Sequence, residues 1–345
     1  SCNTVKSFSP ALVANCWPTP RYTPPTSKAG TRPRLPSPRP ERASGEVVDK
    51  APPRWLPFLV LGIGLLAISF GAILARIAQG YGLPSLTIAT LRLGLAALLI
   101  TPLALWKSGS ALRMLKPRQG LLTGGAGLFL ALHFATWISS LEYTSVASST
   151  ALVTTNLLWI GIASFLLFGD RPSRLMVIGI VLSLSGSLLI FWSDSRTSAP
   201  GTNPLLGNFL AIAGSWCFSA YLLIGRRLRA SLALPAYVWL AYGSAAILLL
   251  LACQASDTAI TGYADAAYLV ALGMALGPQL LGHTSYNWSL KHVSPTFIAV
   301  VTLGEPVGSA ALAWLFFGES FAPLQATGFV LLLVGIYLAA RGEGK

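Results

Sequence analysis

Charge is what this chain has least of. Only 10% of its 345 residues are charged, and acidic groups are the scarcer, 11 against 24 basic ones. An average soluble domain carries about 25% charge, so a water-facing surface of ordinary composition is excluded. The shortage is uneven: residues 1–55 hold nine basic and three acidic residues, which leaves 23 charges for the other 290 positions. Cysteine is sparse too. Cys2, Cys16, Cys217 and Cys253 are scattered with no CxxC pair, which argues against a disulfide framework or a thiolate metal site. Outside the tail only four aspartates occur, Asp170, Asp194, Asp257 and Asp265, and the apolar runs hold no HExxH, paired-aspartate or GxSxG motif. An intramembrane enzyme is therefore not expected, and neither a cofactor nor a metal is implied.

What the chain does have is apolar length. Hydrophobic residues make up 54% of it, and from Leu56 onward ten apolar segments are separated by Gly, Pro, Asn or charged breaks. They cover about 56–77, 85–106, 119–140, 145–168, 173–192, 205–225, 236–253, 265–285, 294–317 and 321–340, each near the roughly 20 residues a helical span needs. No two-residue alternation marks them as barrel strands. The fold class is all-α, a polytopic membrane protein of ten transmembrane helices. Residues 1–55 carry 11 of the 23 prolines and no run of spanning length, and read as a disordered basic tail. No apolar stretch of the 7–15 residues usual for a secretory signal follows the early basic residues, and the Pro density argues against an amphipathic transit helix.

Basic residues set the orientation. With the N terminus inside, 21 of the 24 fall on that side: the tail, Lys107, Arg113, Lys116, Arg118, Arg171, Arg174, Arg226, Arg227, Arg229, Lys291, Arg341 and Lys345. Only Arg76 and Arg196 fall on the other, and Arg92 lies within a span. Both termini are thus expected in the cytoplasm, with the plasma membrane as location. Topology accounts for the +13 net charge without a nucleic-acid partner.

The body repeats. A shift of 149 residues places Ser140-Leu141 on Ser289-Leu290, Gly169-Asp170 on Gly318-Glu319, Gly179 on Gly328 and Gly186 on Gly335. Because each copy has five spans, an odd number, the second must enter the bilayer from the opposite side, with a site between the copies near the midplane. Loop charge agrees: the turn Gly169-Asp-Arg-Pro-Ser-Arg174 has two arginines, and its copy from Gly318 has none. The domains are taken as 56–192 and 205–340. Two inverted halves of similar energy suit alternating access.

Several of these segments resemble a known family. Leu141-Glu-Tyr-Thr-Ser-Val-Ala147, the span endings Phe168-Gly-Asp-Arg171 and Phe317-Gly-Glu-Ser320, Gly304-Glu-Pro-Val307 at mid-span, and Gly82-Leu-Pro-Ser85 followed by Leu91-Arg-Leu93 are similar to the paired EamA-type domains of the drug/metabolite transporter superfamily. The resemblance covers about residues 56–340 and implies a ten-helix carrier with a central cavity, an exporter or exchanger of amino acids, metabolites or drugs. One departure is a missing mid-fourth-span proline: Asn156-Leu157 stands where the second copy has Glu305-Pro306, so equal bending of the two halves is in question.

Within the spans, Glu305 is the sharpest candidate. It sits about 16 Å deep at 1.5 Å per residue, where a carboxylate costs a few kcal/mol unless paired, protonated or facing water. Thr302, Gly308 and Ser309 share its helical face, which reads as a cavity lining with a proton-coupling acid, or else as a hydrogen-bonded helix tie near Pro306. Asn156 is its uncharged mate. His133 and His283 follow Gly127 and Gly277 at equal spacing, and imidazole accepts protons or binds carboxylates near neutrality; interhelical hydrogen bonding is the alternative. Gln279, His283 and Asn287 recur every four residues, and Trp137 lies one turn from His133. Arg92, about 10 Å below the outer end of its span, reads as snorkelling to the interface or as a charge partner for a carboxylate. Gly120/Gly124 and Gly304/Gly308 read as close helix contacts, and Trp159, Trp216, Trp239 and Trp314 as cavity or interface aromatics.

The expected function is transport of small organic metabolites, exporting them by alternating access, with a small-molecule substrate and the bilayer as partners and protons as a coupling ion. A passive facilitator and a non-transporting assembly subunit are the alternatives. A homodimer is compatible with the sequence.

Overall fold

A computed structural model describes residues 52–144, 146–169, 171–195, 203–317 and 323–342, so nearly all of the Pro-rich tail lies outside the described residues, as do Arg196, Glu319 and Lys345. Every apolar run forms a helical crossing, and no strand occurs among the described residues. The protein is an all-α polytopic membrane protein of ten spans. Five of them are unbroken helices long and apolar enough to cross alone: the first (Leu56–Gly80), second (Ser85–Arg113), third (Pro117–Tyr143), sixth (Pro204–Arg229) and seventh (Leu234–Ala255). The fifth is Arg174–Ser195 and the tenth Pro323–Gly342. Prolines open the third, sixth and tenth, where a residue without an N–H leaves no donor unsatisfied.

The other three spans are interrupted. The fourth consists of Val146–Val153 and Asn156–Phe168, and the ninth of Pro295–Thr302 and Glu305–Phe317. Their breaks, at Thr154-Thr155 and Leu303-Gly304, are repeat mates under the 149-residue shift. Both halves therefore bend at the same place, although only one has a proline. In the ninth span Pro306 falls in the first turn of the second piece, where its missing N–H is tolerated. In the fourth, hydroxyls substitute: Thr154 Oγ1 donates to Thr150 O at 2.9 Å and Thr155 Oγ1 to Leu152 O at 2.7 Å, and such back-bonding competes with the helical ladder. The eighth span runs as Asp265–Met274, a π-helical stretch Ala275–His283 around Pro278, and Thr284–Ser289.

Inversion is visible where the fifth and tenth spans cross. A Cβ on Gly179 would lie 2.6 Å from Gly335 O, and one on Gly186 would lie 2.6 Å from Gly328 O. Since Gly179 and Gly186 are the mates of Gly328 and Gly335, each glycine meets the mate of the other, as an antiparallel two-fold crossing requires. Ser183 Oγ donates to the carbonyl of its own mate, Leu332, at 3.5 Å, which puts the local axis through that contact. The same relation holds elsewhere: the third and sixth spans pack together, as do their mates the eighth and first. Small residues permit these approaches without a hydrophobic driving force in lipid. Gly304 and Gly308 follow suit against Leu65 and Ser69 of the first span. Gly120 and Gly124 do not, for a Cβ at Gly124 would meet nothing within 4 Å.

Candidate functional site

The two helix breaks face a shared space at mid-membrane. It is a small chamber of about 30 Å³, room for roughly two water molecules. First-repeat residues Arg92, His133, Trp137 and Asn156 line it together with His283, Thr302 and Glu305 of the second. Asn156 and Glu305 each begin the second piece of a broken span, so two half-helix N termini, with their partial positive charge, converge there. Such a terminus contributes up to about 2 kcal/mol to a nearby anion. A carboxylate at the bilayer centre costs about 3 kcal/mol or more. The dipoles alone do not hold Glu305 ionised, and the rest falls to a cation or a proton.

Arg92 is the cation within electrostatic reach of Glu305. It is turned inward and 1% exposed, so the snorkelling expectation is not met. Interior partners explain why: Nε donates to Gln279 Oε1 at 2.8 Å, and the guanidinium lies 4.0 Å above the Phe134 ring, a cation–π contact that gains strength when desolvated. Arg92 Nη1 is buried without a hydrogen-bond partner. Arg92 and Glu305 are within electrostatic reach yet form no ion pair within 4.0 Å among the described residues.

The histidines meet across the two-fold relation, their ring centroids 6.3 Å apart. His133 Nδ1 lies 3.0 Å from Gly214 O; a carbonyl only accepts, so Nδ1 carries the proton. His133 stacks on Phe218 at 4.9 Å and parallel to Trp137 at 6.1 Å, while His283 meets Phe134 edge-on at 5.2 Å and leaves its own Nδ1 without a partner. Asn156 Oδ1 accepts from Thr302 Oγ1 at 3.5 Å, which ties the two broken spans together.

Not every residue singled out in the sequence arrives here. Gln279 stands behind Arg92 as its support. Asn287 turns away: its Nδ2 donates to Tyr221 Oη at 2.5 Å and Tyr242 Oη at 3.3 Å, between the sixth, seventh and eighth spans. The π-helical stretch runs through Gln279 and His283, so a stripe drawn at four-residue spacing across it does not stay on one face. Gly308 and Ser309, one turn beyond Glu305 in the same helix, pack against the first span instead, and Ser309 Oγ donates to Ser69 O at 2.9 Å. Trp159 and Trp216 pair edge-on at 5.5 Å and are partly exposed, and Trp239 Nε1 donates to Thr101 Oγ1. The side chain of Trp314 lies outside the described residues. Phe134, Phe218 and Tyr286 line the chamber unforeseen; in sequence they are aromatics among many.

A second, wider groove of about 880 Å³ opens beside the end of the fourth span, lined among others by Arg171, Arg226, Lys291 and His292. Its described lining has no acidic side chain. His292 packs on Trp288 at 4.3 Å, and partial burial, with Lys291 and Arg229 nearby, holds its imidazole below the ordinary value near 6.5.

Ten spans in two inverted halves, packed around a midplane chamber with polar groups from both, are the build of a membrane carrier. The sequence profile of the EamA-like transporter family matches residues 54–192 and 205–341, and the chain belongs to that family. It is 22% identical over 274 residues to YyaM, an uncharacterised transporter of Bacillus subtilis (strain 168), covering 77% of this chain and 88% of that protein. An uncharacterised transporter of Archaeoglobus fulgidus is 22% identical over 282 residues, covering 81% and 95%. A solved crystal structure, 20% identical, superposes with a TM-score of 0.68 over 83% of this chain and 97% of its own, which shows the shared fold.

Proposed function

We propose that this protein is a carrier, not an enzyme, that exports small organic metabolites such as amino acids or drugs across the plasma membrane, with both termini in the cytoplasm. The observation that carries the reading is the chamber at the paired breaks, lined from both repeats by the buried side chains of Arg92, His133, Asn156, His283 and Glu305. A chamber of only about 30 Å³ with a buried lining favours a carrier over a passive pore, which needs a continuous path. Two inverted halves that break at matching positions give inward- and outward-facing shapes of comparable energy, as alternating access requires. The loops carry the basic excess on one side, consistent with cytoplasmic termini. Glu305 is the coupling acid: buried at the start of a half-helix and free of an ion pair, it takes up or releases a proton as access alternates. The test is flux in proteoliposomes, screening amino acids and common metabolites with and without a pH gradient. Glu305→Gln is expected to insert and fold normally but to lose pH-driven flux, and unchanged pH-driven flux in that variant refutes the coupling role.

A further inference from the structure

We infer that the transported solute carries a single carboxylate, which docks on Arg92 and takes the place of Glu305 as the chamber's one negative charge. This rests on the proposed carrier function and names its substrate class. Arg92 has a buried nitrogen, Nη1, with no hydrogen-bond partner, and it lines the chamber. Its other face is already committed, Nε to Gln279 and the guanidinium plane to Phe134. The cation is thus fixed in orientation with donor capacity to spare, the arrangement that suits a carboxylate. Two half-helix N termini add positive potential at the same point. Phe134, Trp137, Phe218 and Tyr286 also line the chamber; at about 30 Å³ it takes little more than the acid group, so an apolar or aromatic body is admitted against these rings only as the chamber widens when access opens.

Charge balance sets the proton count. In a low-dielectric chamber with a single arginine, one carboxylate is matched and a second is not. The groups facing Glu305 are Arg92 of the second span, His133 of the third, and His283 and Tyr286 of the eighth, while the first, fourth and sixth spans bring no titratable side chain to the chamber. When the solute anion binds Arg92, Glu305 takes a proton from water on the side of entry. When the solute leaves, that proton is released on the side of exit. One carboxylate and one proton therefore move together, without net charge, in the direction their combined gradients set.

The test uses the purified full-length protein and four ligands of similar shape: phenylacetate, 2-phenylethylamine, phenylalanine and 2-phenylethanol, with acetate as the anion without a body. Binding is read by equilibrium dialysis, and proton uptake in weakly buffered solution. Phenylacetate is expected to bind best and, at mildly alkaline pH, to take up one proton per ligand. Arg92→Gln is expected to weaken phenylacetate about 10- to 100-fold, with Arg92→Lys retaining part of the affinity. Glu305→Gln is expected to bind phenylacetate without proton uptake. Equal binding of the amine or the alcohol, phenylalanine bound without proton uptake, or failure of phenylacetate and acetate alike to bind overturns the inference. Because the ligand series is read in the unaltered protein, it decides even if the Arg92 variants do not fold. A protein that moves 2-phenylethylamine against a proton gradient keeps the carrier function and loses only this substrate class.

Discussion

At the residue scale the two histidines, alike in sequence, differ in their surroundings. His133 gives its Nδ1 proton to Gly214, whereas His283 Nδ1 has no partner. Replacing His133 with alanine therefore removes a hydrogen bond worth about 1 kcal/mol as well as aromatic packing, and lowered thermal stability is expected. His283→Ala removes no Nδ1 hydrogen bond, so the expected effect is altered solute affinity, measured by binding to the folded fraction. Loss of protein with unaltered affinity in what survives assigns His283 to packing instead. The residue scale was also where the sequence was least complete. Glu305 was legible because an acid 16 Å deep has few bland explanations. Arg92 was half legible: its depth permits either snorkelling or inward pairing, and only Gln279 and Phe134, remote in sequence, decide between them. Phe134 and Phe218 carried no signal at all, since aromatic packing residues abound in membrane spans.

Among elements, the broken spans matter most. Their location was only partly readable: Gly304-Glu-Pro announces one break, but Thr154-Thr155 announces nothing until its hydroxyls are seen bonded back to Thr150 and Leu152. Removing those hydroxyls together, Thr154→Val with Thr155→Val, is expected to favour a continuous fourth span and to displace Asn156 from Thr302. Slowed flux with normal membrane insertion is the expected readout, and unchanged flux assigns the bend to tertiary packing alone. The π-helical stretch was likewise invisible, because periodicity assumes 3.6 residues per turn. That assumption put Gln279 on the face of His283, whereas it stands behind Arg92, and Asn287, one turn past the π-helical stretch, belongs to the Tyr221–Tyr242 network.

For the molecule as a whole, ten spans and the inverted duplication were readable from the start, because bilayer thickness fixes helix length and an odd repeat forces inversion. The proposed topology predicts that tags on the two termini are accessible from the same side of the membrane; opposite-side accessibility removes the basis for a cytoplasmic assignment of both. Packing gives a paired prediction. At Gly179 an added methyl group would sit 2.6 Å from two backbone atoms, and overpacking of this kind costs about 1–3 kcal/mol, so Gly179→Ala is expected to lower the unfolding temperature. Gly124→Ala meets open space and serves as the near-neutral comparison.

The crossing of the fifth and tenth spans bears on how the proposed cycle is shared out. With glycine carbonyls pressed against helix backbone at two levels, neither partner can slide past the other without collision, so this seam is a keel. Rocking falls instead to the spans around it, and most readily to the fourth and ninth, whose hinges sit beside the cargo. Locking the keel with a covalent crosslink should then leave turnover intact, while the same bond placed between the two hinged spans should halt it.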